Sequence, residues 1–254
     1  MELQVLGCSG GVGRGVRTTS FRLGEAVLLD AGSGVGDLTL EQMARIGHVF
    51  LTHAHLDHVA FLPFLLDSVF DRLAGPITVH ARAETCRALA DHLFNGVLWP
   101  DFTRLPHPEA PVVRLRPMAP GEVRDAGGWR VEMLPVRHAV PAAGFRLSAG
   151  GQTLAFSGDC TSNDVFWEAL NAGERLDHLL VEAAFPNGQE TLAAQAGHYT
   201  PALLGRDLAK LAHDPAVWIS HAMPEAEERI LAQCREAMPG RTIRLLTRGM
   251  QLPG

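Results

Sequence analysis

The chain is poor in cysteine, in aromatics, in net positive charge and in long apolar runs. Its four cysteines, Cys8, Cys86, Cys160 and Cys234, form no CxxC pair, so neither a zinc knuckle nor a dithiol redox motif is expected. Reduced, mostly buried thiols are the expectation. No apolar stretch approaches the ~20 residues that span a bilayer, so no membrane partner is expected. The first residues carry no basic segment followed by an apolar one, so a cytoplasmic location without a secretory signal is expected. The 22 Lys and Arg stand against 28 Asp and Glu, a net charge of −6 with histidine neutral. Affinity for long nucleic acids rests on Lys and Arg neutralising phosphates. A long polyanion is therefore not the expected partner, whereas a small anion held by a metal is compatible. Repeats, linkers and low-complexity stretches are absent too. With 46% hydrophobic residues the chain can bury a sizeable core, and residues 1–254 read as one domain.

What is there begins with a cluster that a core would reject. The apolar run Val49-Phe50-Leu51 leads into Thr52-His53-Ala54-His55-Leu56-Asp57-His58. Neutral imidazoles and a carboxylate suit zinc or a similar transition metal. Four candidate ligands in six residues exceed what one ion takes from one loop. The spacing suggests two ions sharing the turn, one on His53 and His55, the other on Asp57 and His58. A polar turn rich in histidine by chance is the bland alternative, weakened by the buried-looking strand before it.

Around this cluster the apolar periodicity predicts strands over 3–6, 18–23, 26–30, 77–81, 112–116, 121–125, 129–135, 145–148, 153–156, 176–182, 217–220 and 242–246. Helices are predicted over 38–46, 62–73, 84–93, 163–172, 201–212 and 225–238, with Thr200 as N-cap of the fifth. This order suits a four-layer α/β/β/α sandwich. Gly7 to Gly15 could cradle a phosphate, but it lacks the Lys-Ser/Thr ending of a P-loop. A tight loop crossing near the site fits better. Phe94 to Phe102 is read as a loop, with aromatics either anchoring it in the core or walling a pocket. Several strands end at a polar or metal-competent residue: Asp30, His53, His138, Asp159, Glu182 and His221. Strand ends of this kind converge on one rim, where open α/β folds place their sites.

The motif His53-Ala54-His55-Leu56-Asp57-His58, with His138, Asp159 and His221, resembles that of the metallo-β-lactamase superfamily of hydrolases. The resemblance implies one ion on His53, His55 and His138, a second on Asp57, His58 and His221, and Asp159 bridging both. Zinc is the favoured ion, with manganese or iron also accepted by such ligands. Glu182-Ala183-Ala184-Phe185-Pro186-Asn187, Gly197-His198-Tyr199-Thr200-Pro201, Phe94 to Phe102 and Leu56 look like the class II cyclic-nucleotide phosphodiesterases. The tRNA 3′-processing endonucleases are similar, but the histidine of their His-Glu-Ala-Thr segment is replaced here by Val181, and no long basic arm is present. Two positions depart from the phosphodiesterase pattern. Phe61 stands where glycine tends to follow the motif. His221-Ala222-Met223-Pro224 lacks the lysine that tends to follow the last ligand.

The resemblance implies a two-metal hydrolase opening 3′,5′-cyclic nucleotides to nucleoside monophosphates. Asp57 would orient the nucleophile as well as bind metal, and His198 would donate a hydrogen bond or proton to the phosphoryl or leaving oxygen. A merely structural loop histidine is the alternative for His198. Asp30 and Glu182 are expected to orient ligands from behind. A homodimer is an expectation from the family alone. Rival readings are a ribonuclease-Z-like activity, β-lactam or thioester hydrolysis, and a cyclic-nucleotide sensor or scaffold without turnover.

Overall fold

The computed structural model describes residues 2–252; Met1, Pro253 and Gly254, the ends of the 1–254 reading, lie outside the described residues. The first half lays down β1 (Leu3–Gly7), β2 (Ser20–Leu23), β3 (Val27–Leu29), α1 (Leu40–Ala44), β4 (His48–Phe50), α2 (Leu56–Val59), α3 (Leu62–Ser68), β5 (Ile77–Ala81) and α4 (Ala83–Ala88). A small hairpin, β6 (Pro106–His107) and β7 (Ala110–Pro111), precedes β8 (Val113–Pro117). The second half holds β9 (Val123–Ala126), β10 (Trp129–Pro135), β11 (Ala143–Ala149), β12 (Gln152–Phe156), α5 (Val165–Ala172) and β13 (His178–Glu182). It ends with α6 (Glu190–Ala196), α7 (Pro201–Leu208), β14 (Ala216–Ser220), α8 (Glu227–Ala237), β15 (Ile243–Leu245) and β16 (Gln251–Leu252).

Two seven-stranded sheets result, ordered β16-β1-β2-β3-β4-β5-β8 and β15-β14-β13-β12-β11-β10-β9. Alternating side chains fill the space between them: Phe21 meets Phe156 edge-on at 5.1 Å, and Phe50 meets Phe145 at 5.7 Å. The opposite faces bury separate clusters. Val49, Leu51 and Val79 pack with Leu62, Leu65 and Leu66 of α3. Leu179, Val181 and Ile219 pack with Phe166, Leu204 and Ile230 of α5, α7 and α8. Layers of helix, sheet, sheet and helix follow, the expected metallo-β-lactamase sandwich. Central strands such as β13 bury both faces, which is why they read as unbroken apolar runs.

Topology explains the common rim. β3 and β4 run parallel, as do β12, β13 and β14. β10 is antiparallel to β11, which is antiparallel to β12, so β10 also runs with β12. The carboxyl ends of these strands therefore meet at one edge of the sandwich.

Some details differ from the sequence reading. The helix expected over 62–73 stops at Ser68, and a 3-10 turn over Phe70–Arg72 follows. Thr200 occupies the N-cap position of α7, but its side chain makes no capping bond. α6, β6, β7 and β16 were not expected. The segment 94–102 divides: Phe94 and Phe102 are buried, whereas Val97 and Leu98 project into solvent.

Candidate metal centre

The motif turn begins as β4 ends. His55 takes the N-cap position of α2, which places Asp57 and His58 in its first turn. His58 is then fixed from behind, its carbonyl accepting from Ala31 N at 2.7 Å. Two non-glycine residues at the rim, Asp30 and His221, adopt positive φ of 55° and 57°. This left-handed conformation costs about 1–3 kcal/mol for such residues and is held only where surroundings enforce it. At His221 the enforcement is visible: its N–H donates to Cys8 O at 2.7 Å. The glycine-rich loop explains itself here. A Cβ on Gly10 would lie 2.9 Å from His221 O and 3.2 Å from its ring, so the loop can cross behind the histidine only as glycine.

Seven side chains converge in two groups that share one carboxylate. His53, His55, His138 and Asp159 form the first; Asp57, His58, His221 and Asp159 form the second, with candidate ligand atoms in each within 4.8 Å of one another. His55 Nδ1 lies 2.9 Å from His53 Nε2 and 3.4 Å from His138 Nε2. Asp159 Oδ2 lies 3.2 Å from both His58 Nε2 and His221 Nε2, and 3.7 Å from His53 Nε2. Asp57 Oδ2 is 3.4 Å from His58 Nε2 and 3.8 Å from His221 Nε2. Ligand atoms bonded at ~2 Å around a tetrahedral zinc stand a little over ~3 Å apart, so these separations fit without rearrangement.

The far side of most rings is fixed. His58 Nδ1 pairs with Asp30 Oδ2 at 2.7 Å. Thr52 Oγ1 donates to Asp30 and lies 2.9 Å from His53 Nδ1. His138 Nδ1 donates to Gly197 O at 3.0 Å, and His221 Nδ1 meets Thr19 Oγ1 at 3.2 Å. Such partners select the tautomer that leaves the inner nitrogen bare. His58 Nε2 is the test of fit: it is buried and without a hydrogen-bond partner, and an unpaired acceptor of that kind is costly unless a cation takes it.

Electrostatics agree. Burial lowers the pKa of His53, His55, His138 and His221, which favours the neutral imidazole that a metal would take. Burial acts the same way on His58, but the Asp159 and Asp30 carboxylates outweigh it and push His58 well above its usual value. Asp159 is raised by burial yet held well below the usual carboxylate range by His221 and His58.

His198 sits beside this centre, its ring stacked on His221 at 5.3 Å and 21°. Here Glu182 departs from the expectation that it orients a metal ligand. Its Oε1 accepts from His198 Nδ1 at 2.7 Å and from Cys160 N at 2.9 Å; Oε2 accepts from Ala184 N and Tyr199 N. It orients His198 instead. Burial opposes protonation of His198, but the Glu182 charge and hydrogen bond prevail and raise it to about 9. Thr19, Thr52 and the carbonyl of Gly197 were not singled out from sequence. Thr52 adjoins the motif, which is a signal of sorts. Thr19 lies 202 positions from its histidine and offers none.

Facing sheets with a shared-carboxylate cluster at their strand ends define a metal-dependent hydrolase of metallo-β-lactamase fold. The chain belongs to the family described as beta-lactamase superfamily domain, whose model matches residues 25–221. It is 27% identical over 252 residues to a probable 3′,5′-cyclic-nucleotide phosphodiesterase of Yersinia pestis, covering 83% of this chain and 72% of that protein. It is also 27% identical over 276 residues to a ribonuclease Z of Bradyrhizobium sp., covering 87% and 88%. The solved structure of unliganded yeast PDE1 superposes with a TM-score of 0.81 at 17% identity, covering 99% of this chain and 98% of that one, a likeness of fold.

Proposed function

We propose that the chain is a two-metal phosphodiesterase that hydrolyses 3′,5′-cyclic nucleotides to nucleoside 5′-monophosphates, with His53, His55, Asp57, His58, His138, Asp159 and His221 as ligands. The observation that carries this reading is the position of Asp159, common to both ligand groups. Two divalent ions, zinc by preference, would supply charge against the phosphoryl oxygens and acidify water when bound. Asp57 and Asp159 give the site a formal charge of about −2, so two divalent cations leave room for a monoanionic diester. Asp57, partly exposed at the mouth, orients the attacking water. His198, with Nδ1 committed to Glu182, has Nε2 left to donate a proton to the leaving oxygen.

A small substrate is favoured by the net charge of −6 and by Val181, buried in the outer core where the tRNA-processing relatives' segment carries histidine. A ribonuclease-Z-like activity is the second reading, supported by the equal identity to that relative. The test is a panel: cyclic AMP, cyclic GMP, bis(p-nitrophenyl) phosphate and an unprocessed tRNA, each with Zn, Mn and Fe. Hydrolysis of the cyclic nucleotides with ring opening at O3′ is expected. Turnover of tRNA 3′ ends or of the artificial diester, without cyclic nucleotide hydrolysis, would overturn the substrate.

A further inference from the structure

A cleft of about 250 Å³ is lined by Val12, Val16, Arg17, Ser33, Asp37 and Phe61 among others, and its walls adjoin residues that contact Asp57, His58 and His221. We infer that this cleft seats the nucleobase of the substrate, with Phe61 as its stacking platform. The inference rests on the cyclic-nucleotide reading above.

Position comes first. Ser33 exchanges hydrogen bonds with Thr18, its N–H donating to Thr18 Oγ1 at 2.8 Å and its Oγ accepting from Thr18 N at 2.9 Å. The next residue, Thr19, holds His221. Gly32, beside Ser33, presses on Asp57: a Cβ there would fall 2.4 Å from Asp57 O. Phe61 N donates to Ala31 O at 2.9 Å, while Ala31 N donates to His58 O. Both walls of the cleft are therefore tied to residues of the second ligand group.

Shape and chemistry come next. The volume lies below the ~300–1,000 Å³ of whole-ligand pockets, which suits one part of a ligand. Phe61 is pinned against Gly36, where a Cβ would be 2.8 Å from its Cε1; Val12 and Val16 supply further apolar wall. At the polar end, Asp37 Oδ1 accepts from Arg17 at 3.3 Å and Oδ2 from Arg248 at 2.8 Å. Each oxygen keeps a further lone pair for an N–H donor. Arg17 and Arg248 share the single Asp37 carboxylate, which holds both guanidiniums at this end of the cleft. An aromatic face with acceptors at one edge is how bases are held, by stacking and edge hydrogen bonds. The departure from glycine at position 61 then becomes a determinant of specificity.

The test compares ligands with and without a base. Calorimetric binding of adenosine 5′-monophosphate and ribose 5-phosphate to the metal-loaded protein gives an affinity ratio, expected to favour the nucleotide about ten-fold or more. Phe61→Leu should cut that ratio about ten-fold, and Phe61→Tyr should preserve it. Gly36→Ala, whose Cβ would fall 2.8 Å from Phe61 Cε1 and force the ring out of its place, should cut it too and carries the test if Phe61→Leu fails to fold. An unchanged ratio in a folded Phe61→Leu or Gly36→Ala protein overturns the subsite. Cyclic AMP hydrolysis by the unaltered protein is measured alongside: if it persists, the subsite alone has failed; if it is absent, the functional reading has failed first.

Discussion

The two halves of the proposed metal centre are built differently. His53, His55 and His138 are three imidazoles backed by a hydroxyl and a backbone carbonyl. His58, His221 and Asp57 include a carboxylate of their own, and His58 is backed by the buried Asp30 carboxylate. Charge behind a ligand raises its basicity more than a neutral acceptor does. The second half is therefore the more strongly polarised, and the first depends on Asp159 for any negative charge. One ion should therefore leave before the other.

The largest effect comes from removing what the halves share. Asp159→Ala should abolish hydrolysis, by more than the roughly 100-fold upper figure for outer partners, and should lower bound metal measured by elemental analysis from two ions toward one or none. Full activity with two ions retained would refute the shared site. Next, Asp30→Asn removes the charge that backs His58 directly and reaches His53 only through Thr52. It should weaken the second-half ion by about 10–100-fold, seen as one early release step in a chelator titration. Thr19→Val, touching the same half through a neutral contact, should cost less, in line with the ~1 kcal/mol of an ordinary hydrogen bond. Equal losses of both ions in Asp30→Asn would erase the contrast between the halves.

Some rim residues were legible because they close an apolar run, and His55, Asp57 and His58 because they crowd into one motif beside His53. Asp30, His53, Asp159 and His221 follow the last buried residues of their strands, and a polar residue in that position stands out against the period of two. The sandwich was legible from the order of its strands and helices, in which strands such as Leu179-Leu180-Val181 stand out as apolar runs because both their faces are buried. What stayed hidden depends on contacts between distant residues. Glu182 looked like a support for a ligand, but only the folded chain brings His198 to it. α6 was missed because Ala193 is its only buried residue, so no apolar stripe marks it. The left-handed backbone of His221 has no sequence signal, since even histidine, among the more tolerant non-glycine residues, adopts it at only a small share of its positions.

The smallest effect separates the halves by protons rather than ions. In chelator-stripped protein, His53, His55, His138 and His221 have lowered pKa values. They bind fewer protons folded than unfolded, so stability rises with pH up to their unfolded value of ~6.5. His58 and His198 are raised, the latter to about 9. They contribute stability that is full below ~6.5 and lost as pH climbs through their folded values. The metal-free thermal midpoint should therefore peak near pH ~6.5 and fall by a few degrees toward pH ~9. Zinc takes the place of the proton on His58 and binds more tightly as ligands deprotonate, so the metal-loaded protein should lose the share of that decline owed to His58 and keep the share owed to His198. Glu182→Gln removes the charge that raises His198 and should shrink the decline to the part owed to His58. A metal-free midpoint that kept rising to pH ~9 would mean that Asp30 and Asp159 do not hold a proton on His58, and the second half would be no more polarised than the first.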